Sequence, residues 1–309
     1  MNKQEINALL ELPLEKLIYR ANKVREKFIG QKLELCNIMN AKSGACLEDC
    51  KFCAQSSRHK TSAAIYPLKK KEEILKAAQY AKDIGAERFD IVTSGNKLSK
   101  DEIKLIADAI YDITNNFNIK ICASLGALDE GDFSILKHAG LTRYHHNLET
   151  SPAYFKKITT THNFQDRVET IKKAKRVGLE VCSGGIIGMG ETLMDRIEMA
   201  LWLKELQVNS VPINALVPIK GTAFENKNLL SKEEVLRTIA LFRIILEDKI
   251  IKIAAGREPI LKNSQIEAFL AGANGMLIGG YLTLKGQELQ KDQELIKKIR
   301  QKWQREMDS

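Results

Sequence analysis

The stretch around which the chain is organised reads Gly44-Ala45-Cys46-Leu47-Glu48-Asp49-Cys50-Lys51-Phe52-Cys53-Ala54-Gln55-Ser56. Its cysteines follow a C-x3-C-x2-C pattern, and Cys thiolates are the usual ligands of iron–sulfur clusters. Three thiolates so close together can hold three corners of a four-iron cubane and leave the fourth iron open to a small molecule. A structural zinc site is the alternative, but zinc ligands usually come as two pairs, and no second C-x2-C pair exists here. The pattern therefore indicates a cluster with one open iron.

Outward from this stretch, strand-like and helix-like segments alternate along the chain. In the segment 71–84, Ile74, Ala78 and Ala81 recur at helical spacing, and Gly85 then ends the helix. Strands joined by helices predict an α/β fold, here a (β/α)8 barrel of the TIM type. An open doubly wound sheet is the alternative, but no G-x-G-x-x-G follows the first strand. We expect strands at 33–38, 88–93, 119–124, 143–148, 180–187, 210–216, 251–255 and 273–278, with helices between them, the last at 262–271.

Both ends of the chain predict helices packed on that barrel. Apolar residues recur at helical spacing through 4–29, and Leu295, Ile299 and Trp303 share one face of a charged tail. Neither an internal repeat nor a linker interrupts the chain. We therefore expect one domain over 1–309, with a helical cap at 1–31, the barrel at 32–285 and a short helical tail at 286–309.

Composition limits the classes of function. The net charge is +9, but the lysines are scattered through predicted helices and the aromatic content is 6%, so no nucleic-acid-binding surface is expected. No apolar run reaches membrane-spanning length, and the first residues do not read as a signal peptide. We expect a cytoplasmic protein with no membrane or nucleic-acid partner. In such a chain, 6 cysteines favour metal ligands over disulfides.

Polar and thiol side chains lie on or just after nearly every predicted strand. In β/α barrels the active site lies at the C-terminal ends of the strands. A buried arginine there is costly unless it is paired or binds a ligand. The sequence therefore predicts one shared pocket at that mouth. Its candidate residues are Cys36, Asp90, Cys122, Asn147, Glu149, Cys182, Asn214 and Arg257.

Several segments resemble the signatures of the biotin synthases, a family of radical S-adenosylmethionine (SAM) enzymes. The cysteine stretch, continued to Arg58, is one of them, and the resemblance covers essentially the whole chain. It implies a sulfurtransferase that converts dethiobiotin to biotin, the last step of biotin biosynthesis. The other matching segments are Arg143-Tyr144-His145-His146-Asn147-Leu148-Glu149-Thr150-Ser151-Pro152, Val181-Cys182-Ser183-Gly184-Gly185, Ser210-Val211-Pro212-Ile213-Asn214, Lys220-Gly221-Thr222, Ala255-Gly256-Arg257-Glu258 and Ala271-Gly272-Ala273-Asn274.

The resemblance also implies roles for individual residues. Cys46, Cys50 and Cys53 would hold a [4Fe–4S] cluster whose open iron binds SAM. An electron from the cluster would cleave SAM to a 5′-deoxyadenosyl radical, which abstracts hydrogen from the substrate in two rounds, so no side chain is expected to be catalytic. Dethiobiotin would contact Asn147 and Asn214, whose amides offer both a donor and an acceptor. SAM would contact Asn147, Glu149 (often Asp in the family), Arg167, Phe52 and Ile186.

The chain departs from the family at a second, auxiliary cluster that is thought to supply the inserted sulfur. Family members commonly hold a [2Fe–2S] cluster there with three cysteines and one arginine. Cys122, Cys182 and Arg257 match three of these positions, but Asp90 replaces the remaining cysteine. A carboxylate is a harder ligand than a thiolate, so a simple exchange in an iron–sulfide cluster is not expected.

Cys36, on the first predicted strand, offers another thiol. Alternate strands place inward side chains in one layer, which suits Cys36, Cys122 and Cys182 on the first, third and fifth strands. We hypothesise that these thiols bind a four-iron auxiliary cluster, [4Fe–5S] or [4Fe–4S], in preference to [2Fe–2S]. Arg257 would lie nearby or ligate, and Arg88 would balance the charge without ligating. The alternative is that Cys36 is a small buried side chain and the auxiliary cluster is absent or altered.

Two rival functions stay open. A related radical SAM enzyme without sulfur insertion, hydrogenase-maturase-like or methylornithine-synthase-like, is favoured by the lost cysteine at position 90 and disfavoured by Cys122 and Cys182. A zinc-stabilised nucleic-acid-binding protein is the rival from another class. As partners, the leading interpretation implies dethiobiotin, reduced flavodoxin or ferredoxin as the electron donor, and a second copy of the chain in a homodimer.

Overall fold

A closed parallel sheet forms the centre of the computed structural model, which describes residues 3–282 and 286–307. Within them the strands are β1 (Glu34–Lys42), β2 (Arg88–Thr93), β3 (Lys120–Ser124), β4 (Arg143–His145), β5 (Glu180–Cys182), β6 (Gly185–Ile187), β7 (Ser210–Ala215), β8 (Ile250–Ile253) and β9 (Gly275–Leu277). Their order in the sheet is β5-β4-β3-β2-β1-β9-β8-β7-β6, and a further pairing of β5 with β7 closes the ring. The fold class predicted from the sequence, a TIM-type barrel, is confirmed.

β5 and β6 are the two halves of one barrel strand, interrupted at Ser183 and Gly184. A Cβ atom on Gly184 would lie 1.9 Å from the carbonyl oxygen of Pro212, on the neighbouring strand β7. A Cβ on Gly185 would lie 2.3 Å from the carbonyl oxygen of Glu149. Only glycine allows backbones to approach so closely, and the interruption brings this strand against the segment that carries Asn147.

Helices alternate with the strands and cover the barrel. They are α1 (Lys3–Leu10), α2 (Leu14–Ile29), α3 (Lys71–Asp83), α4 (Lys100–Asn116), α5 (Glu130–His138), α6 (Pro152–Phe155), α7 (Phe164–Arg176), α8 (Leu193–Glu205), α9 (Lys232–Leu246), α10 (Arg257–Leu261), α11 (Gln265–Leu270) and α12 (Leu289–Met307), with a 3-10 turn at Lys262–Ser264. Several begin with a capping box, as at Ser99, whose hydroxyl accepts from the Glu102 N–H while the Glu102 carboxylate accepts from the Ser99 N–H.

The terminal helices pack against each other and against the barrel. Trp303 of α12 is 1% exposed, and the Arg25 guanidinium of α2 lies over its ring, 4.4 Å from the centroid. Arg25 also pairs with Glu306, at 3.0 Å. The tail is a 19-residue helix, longer than the short helix predicted from the sequence. Its residues Leu295, Ile299 and Trp303 are buried, as the sequence predicts.

The largest departure from the predicted elements lies after β8. A single helix was expected at 262–271, but α10 already begins at Arg257, and a 3-10 turn separates it from α11. Gly256, at φ +87°, lets the chain turn into this helix directly from the strand end. The predicted domain limits 1–31, 32–285 and 286–309 include residues 1–2, 283–285 and 308–309, which lie outside the described residues. In the part of the chain described here, no helix is long and apolar enough to cross a membrane.

Candidate functional site

A cavity of about 380 Å³ opens at the C-terminal ends of the barrel strands. All the predicted site residues line it except Arg88 and Arg257. The cysteines divide into an outer group, on the loop after β1, and an inner group, on the strands themselves. The outer group is Cys46, Cys50 and Cys53, and the inner group is Cys36, Cys122 and Cys182.

The loop that carries the outer cysteines is held in place from both sides. It starts with two residues in the left-handed region, Gly44 at φ +71° and Ala45 at φ +52°. The Cys46 N–H then donates to the Gln55 carbonyl, 3.1 Å away, and the Cys53 N–H to the Cys50 carbonyl, at 3.0 Å. These bonds turn the chain tightly, and all three thiols of this eight-residue stretch line the cavity.

Asp49 fastens the same loop to the segment before α7. Its carboxylate accepts from the Thr159 hydroxyl at 2.7 Å and from the Thr160 N–H at 2.8 Å. Burial opposes the charge of Asp49, but these hydrogen bonds outweigh it and hold the pKa of the carboxyl well below its usual range. The cysteine loop is therefore presented on a fixed support, as a cofactor-binding loop requires.

The outer thiols fit a cluster by their chemistry. Burial raises the pKa of Cys50 to about 12 and raises the pKa of Cys53 above its ordinary value. Without a metal these thiols are thus protonated, and a metal that binds them must displace the protons. Three soft sulfur donors on one short loop suit iron–sulfide ligation. Among the described residues, no group of three or more His, Cys, Asp or Glu side chains is arranged to hold a single metal ion.

Arg167 of α7 points into the cavity beside the outer cysteines. Its Nη1 donates to the Asn147 carbonyl at 3.0 Å, and its Nη2 to His162 Nε2 at 3.1 Å. Its Nε is buried and, among the described residues, has no hydrogen-bond partner. A buried guanidinium N–H without an acceptor favours an anionic ligand at this position.

His162 and Glu48, which the sequence did not single out, hold that arginine. Because Arg167 can only donate, His162 Nε2 must accept, and His162 Nδ1 then donates to Glu48 Oε2 at 2.7 Å. Glu48 stands between Cys46 and Cys50, so a hydrogen-bonded chain joins the cysteine loop to Arg167. The sequence did not indicate this chain of hydrogen bonds, because Glu48 lies far from His162 and Arg167 along the sequence.

Asn147 and Glu149 follow β4 and face the same space. Asn147 Oδ1 accepts from the Gly184 N–H at 3.1 Å, and the Glu149 carboxylate lies 3.8 Å from Arg167. Glu149 has φ +69°, a left-handed conformation that is uncommon for a residue with a Cβ and is often found at functional sites. Asn214, across the cavity, accepts from the Ala255 N–H at 3.2 Å. Phe52 and Ile186 provide apolar wall.

The inner thiols lie deeper in the barrel, next to basic side chains. Lys252 of β8 donates to Cys36 Sγ at 2.8 Å, and Arg88 of β2 approaches Cys122 Sγ at 3.9 Å. Burial raises the pKa of Cys36 to about 11, even though the Lys252 ammonium acts to lower it. Burial also raises the pKa of the Cys122 thiol, so without bound iron both thiols favour the protonated form despite the neighbouring cations.

A network of charges lies beneath the inner thiols. Glu34 of β1 accepts from Arg88 at 3.0 Å and from Arg143 at 2.7 Å, and it lies 3.2 Å from Lys252. Glu180 pairs with both arginines, at 2.8 and 2.9 Å. Three cations thus face two carboxylates, which leaves one excess positive charge next to the thiols. Such a surplus favours a negatively charged group in the inner part of the cavity.

Arg257, expected from the sequence to lie near the auxiliary cluster or to ligate it, is not among the residues that line the cavity. Its guanidinium lies outside the cavity lining and donates to Asp292 Oδ1 and to Gln265 Oε1, both at 2.6 Å, and to the Tyr281 hydroxyl at 2.9 Å. Arg257 therefore fastens helix α12 to the barrel. Lys252, five residues earlier and on the strand itself, does line the cavity, next to the inner thiols.

Asp90 lies between the inner thiols and Asn147. Its Oδ2 is 3.1 Å from Nδ1 of His145, and His145 Nε2 is 3.0 Å from Asn147 Oδ1. Burial opposes protonation of His145, but the neighbouring Cys182 and Asp90 outweigh it and raise the pKa of the imidazole to about 9. His145 is another cavity residue that the sequence did not single out.

Comparisons with known proteins agree with this arrangement. The sequence model of the radical SAM superfamily matches residues 41–203. The sequence model of the biotin and thiamin synthesis associated domain matches residues 212–300. A biotin synthase from Thermotoga petrophila is 52% identical over 298 residues, which cover 96% of this chain and 98% of that protein. One from Clostridium perfringens is 47% identical over 299 residues, covering 97% of this chain and 93% of that protein.

Solved structures share the fold at much lower identity. A methylornithine synthase superposes with a TM-score of 0.83 at 19% identity and covers 96% of this chain and 92% of its own. An FeFe-hydrogenase maturase from Carboxydothermus hydrogenoformans gives 0.79 at 20% identity, covering 94% of this chain and 72% of its own. At such identities these likenesses show the barrel alone.

Proposed function

The chain belongs to the biotin synthase family of the radical SAM superfamily, and from this premise we propose how its cavity binds cofactors and substrate. The enzyme is a sulfurtransferase of biotin biosynthesis that acts on dethiobiotin with a [4Fe–4S] cluster, SAM and an electron donor. When bound, the cluster and SAM supply the radical that removes hydrogen from the substrate. The side chains of this chain bind these groups, orient the substrate and exclude water.

Cys46, Cys50 and Cys53 are proposed to hold the [4Fe–4S] cluster at the outer end of the cavity. Their support comes from the loop geometry and from the fact that all three thiols line one cavity. Arg167 would then bind the carboxylate of SAM through its free Nε, a charge-assisted hydrogen bond. Glu149 and Asn147 would hold the ribose hydroxyls, and Phe52 and Ile186 would pack against the apolar parts of SAM.

Dethiobiotin is proposed to lie between the two groups of cysteines, bound by Asn147 and Asn214. Both amides line the same cavity as the proposed SAM residues and the inner thiols. Substrate carbon atoms would thus lie between the radical source and the source of sulfur. A buried position also keeps water away from a reactive radical, which prevents side reactions.

The inner thiols Cys36, Cys122 and Cys182 are proposed to bind the auxiliary cluster. The single observation that carries this proposal is that these thiols line one cavity beside a surplus of buried positive charge. Three thiolates suit a four-iron cluster, [4Fe–5S] or [4Fe–4S], because one iron is left open for a transferable sulfide. Arg88 and Lys252 would balance the charge of the cluster without ligating it, in place of the Arg257 expected from the sequence.

The remaining partners are also proposals. Reduced flavodoxin or ferredoxin would deliver electrons, and two chains would form a homodimer. The described parts of the predicted cap, barrel and tail pack together, which supports a single domain over the chain.

The function is tested with enzyme reconstituted without oxygen, given reductant, SAM and dethiobiotin. We expect biotin together with 5′-deoxyadenosine. The variant Cys50→Ala, which removes a proposed cluster ligand, should yield neither product. Release of 5′-deoxyadenosine with no biotin, from enzyme with full iron content, would instead place the chain among radical enzymes without sulfur insertion.

A further inference from the structure

The hydrogen bonds of His145 reveal the orientation of the Asn147 amide. His145 Nε2 and the Gly184 N–H both approach Asn147 Oδ1, at 3.0 and 3.1 Å. Because a backbone N–H can only donate, this atom is the amide oxygen and not the nitrogen. His145 Nε2 must therefore carry a hydrogen and donate it to Asn147.

This orientation limits what Asn147 offers to a ligand. Its oxygen already accepts two hydrogen bonds, which occupies both lone pairs. Its NH2 group makes only a long contact, 3.4 Å, with Glu149 Oε2 among the contacts described. The oxygen of Asn214 accepts one hydrogen bond, from the Ala255 N–H at 3.2 Å, and its NH2 group donates to the Gly185 carbonyl at 3.3 Å. Each NH2 group has two hydrogens, so each amide keeps one N–H that can donate to the carbonyl oxygen of a ureido ring.

A ureido ring also has N–H groups, which need acceptors, and both lone pairs of the Asn147 oxygen are already occupied. Asp90, which also lines the cavity, has a carboxylate oxygen that can accept such a hydrogen bond. Its Oδ2 is bound to His145, while its Oδ1 is buried and has no hydrogen-bond partner among the described residues. The Asp90 side chain is 10% exposed. A buried carboxylate oxygen without a donor is costly, so binding of a ligand N–H there is favourable.

We propose that Asp90 and His145 together determine the specificity for the ureido ring of the substrate. His145 is a positioning residue that holds the Asn147 amide with its oxygen inward and its NH2 toward the ring carbonyl. Asp90 accepts a ureido N–H through Oδ1 and anchors the His145 ring through Oδ2. The carboxylate at position 90 is thus a substrate-binding group and not a cluster ligand. The inference rests on the proposed contact between Asn147 and dethiobiotin.

The experiment measures binding without turnover. Labelled dethiobiotin is dialysed against holoenzyme that contains SAM but no electron donor. Asp90→Ala and His145→Phe should each raise the Kd about tenfold, since a buried polar partner is lost. Asp90→Asn keeps an acceptor oxygen and should change the Kd less. His138→Gln, exposed on α5 and outside the cavity, is the matched control and should leave the Kd unchanged.

Two cyclic carbamate analogues of dethiobiotin, each with one ring N–H replaced by oxygen, separate recognition from damage to the fold. Wild-type enzyme should bind at least one analogue about tenfold more weakly than dethiobiotin, because the site is built to accept a hydrogen bond. Asp90→Ala should lose this discrimination, while Asp90→Asn should keep part of it. If the ratio of the analogue Kd to the dethiobiotin Kd is the same in Asp90→Ala as in wild type, the inference is wrong.

The proposed function is checked in the same series by Asn147→Ala. If this variant binds dethiobiotin as tightly as wild type does, then Asn147 does not contact the substrate, and the proposed binding mode fails. If Asn147→Ala weakens binding but His145→Phe does not, the proposed binding mode stands and the positioning role of His145 is wrong.

Discussion

Lys252 Nζ lies 2.8 Å from Cys36 Sγ, across the inside of the barrel from strand β8 to strand β1. The ammonium is buried, and burial opposes its charge, but the neighbouring Cys36, Cys182 and Glu34 outweigh that and raise the pKa of Lys252 above its ordinary value. A cation is thus fixed beside a thiol in the innermost part of the cavity. This contact links Cys36 to the charged side chains that would stabilise a bound cluster.

Cys36→Ala tests the proposed ligand set of the auxiliary cluster. We expect the variant to lose the iron and sulfide of that cluster while keeping those of the outer cluster, because one of three thiolate ligands is gone. Iron and sulfide are measured on protein reconstituted without oxygen, alongside the visible spectrum. Cys46→Ala is the matched variant for the outer site. Unchanged auxiliary cluster content in Cys36→Ala would remove Cys36 from the site.

Lys252→Met tests the role of the buried cation. Without it the auxiliary cluster should be reconstituted less fully and lost faster, since a negative cluster would face one positive charge fewer. Lys252→Arg should retain most of the cluster. Arg257→Gln is the control, because Arg257 binds Asp292 on α12 outside the cavity lining. It should lower the unfolding temperature without changing iron content per folded chain, and a selective loss of auxiliary iron in Arg257→Gln would restore the role expected from the sequence.

Glu34→Gln tests the charge network. Glu34 is nearly buried among three cations, so its removal leaves uncompensated charge and should cost about 3–5 kcal/mol in the free energy of unfolding. Glu180→Gln is the matched control and should cost less, because its side chain is 43% exposed. Urea unfolding of both variants measures the difference. Equal effects would show that burial does not decide the contribution of this network.

The difference in stability between wild type and Glu34→Gln should also depend on pH. Burial opposes ionisation of Glu34, but Lys252 and Arg143 outweigh it and lower its folded-state pKa below the ordinary value of 4.5. A carboxylate with a depressed pKa stabilises the folded state fully above the unfolded-state pKa, and this contribution is lost as the pH falls. The stability gap between wild type and Glu34→Gln should therefore be constant near neutral pH and shrink below about pH 4.5. A gap that widens on acidification would contradict the assignment.

His162→Leu tests the hydrogen-bonded chain that holds Arg167. With His162 Nε2 removed, Arg167 keeps its charge but loses one of its acceptors, so the KM for SAM should rise about three- to tenfold with a smaller change in kcat. Arg167→Lys should have a larger effect, because an ammonium cannot reproduce the guanidinium geometry. The SAM-induced change in the electron paramagnetic resonance spectrum of the reduced cluster gives a readout independent of turnover. His59→Gln, on the cysteine loop but bonded to the Cys53 carbonyl, is the control.

The sequence by itself determined the barrel, most strand positions, the outer cysteines and the family. These features are local: the three cysteines lie within eight residues of each other, and apolar periodicity marks each strand and helix within a few residues. The sequence also placed Cys36, Cys122 and Cys182 in one cavity, because strands one, three and five of such a barrel share an inward layer.

Only the tertiary structure decided which charged residues line the cavity. Lys252 lies on β8, between Ile251 and Ile253, and points into the barrel, whereas Arg257 begins helix α10 beyond the strand end and points to α12. Contacts such as Lys252 with Cys36, or Asp90 with His145, join residues more than 50 positions apart. They depend on strand register and on which face of the strand each side chain occupies, and a shift of one residue would reverse that face. The sequence names such residues, but barrel closure decides which of them meet.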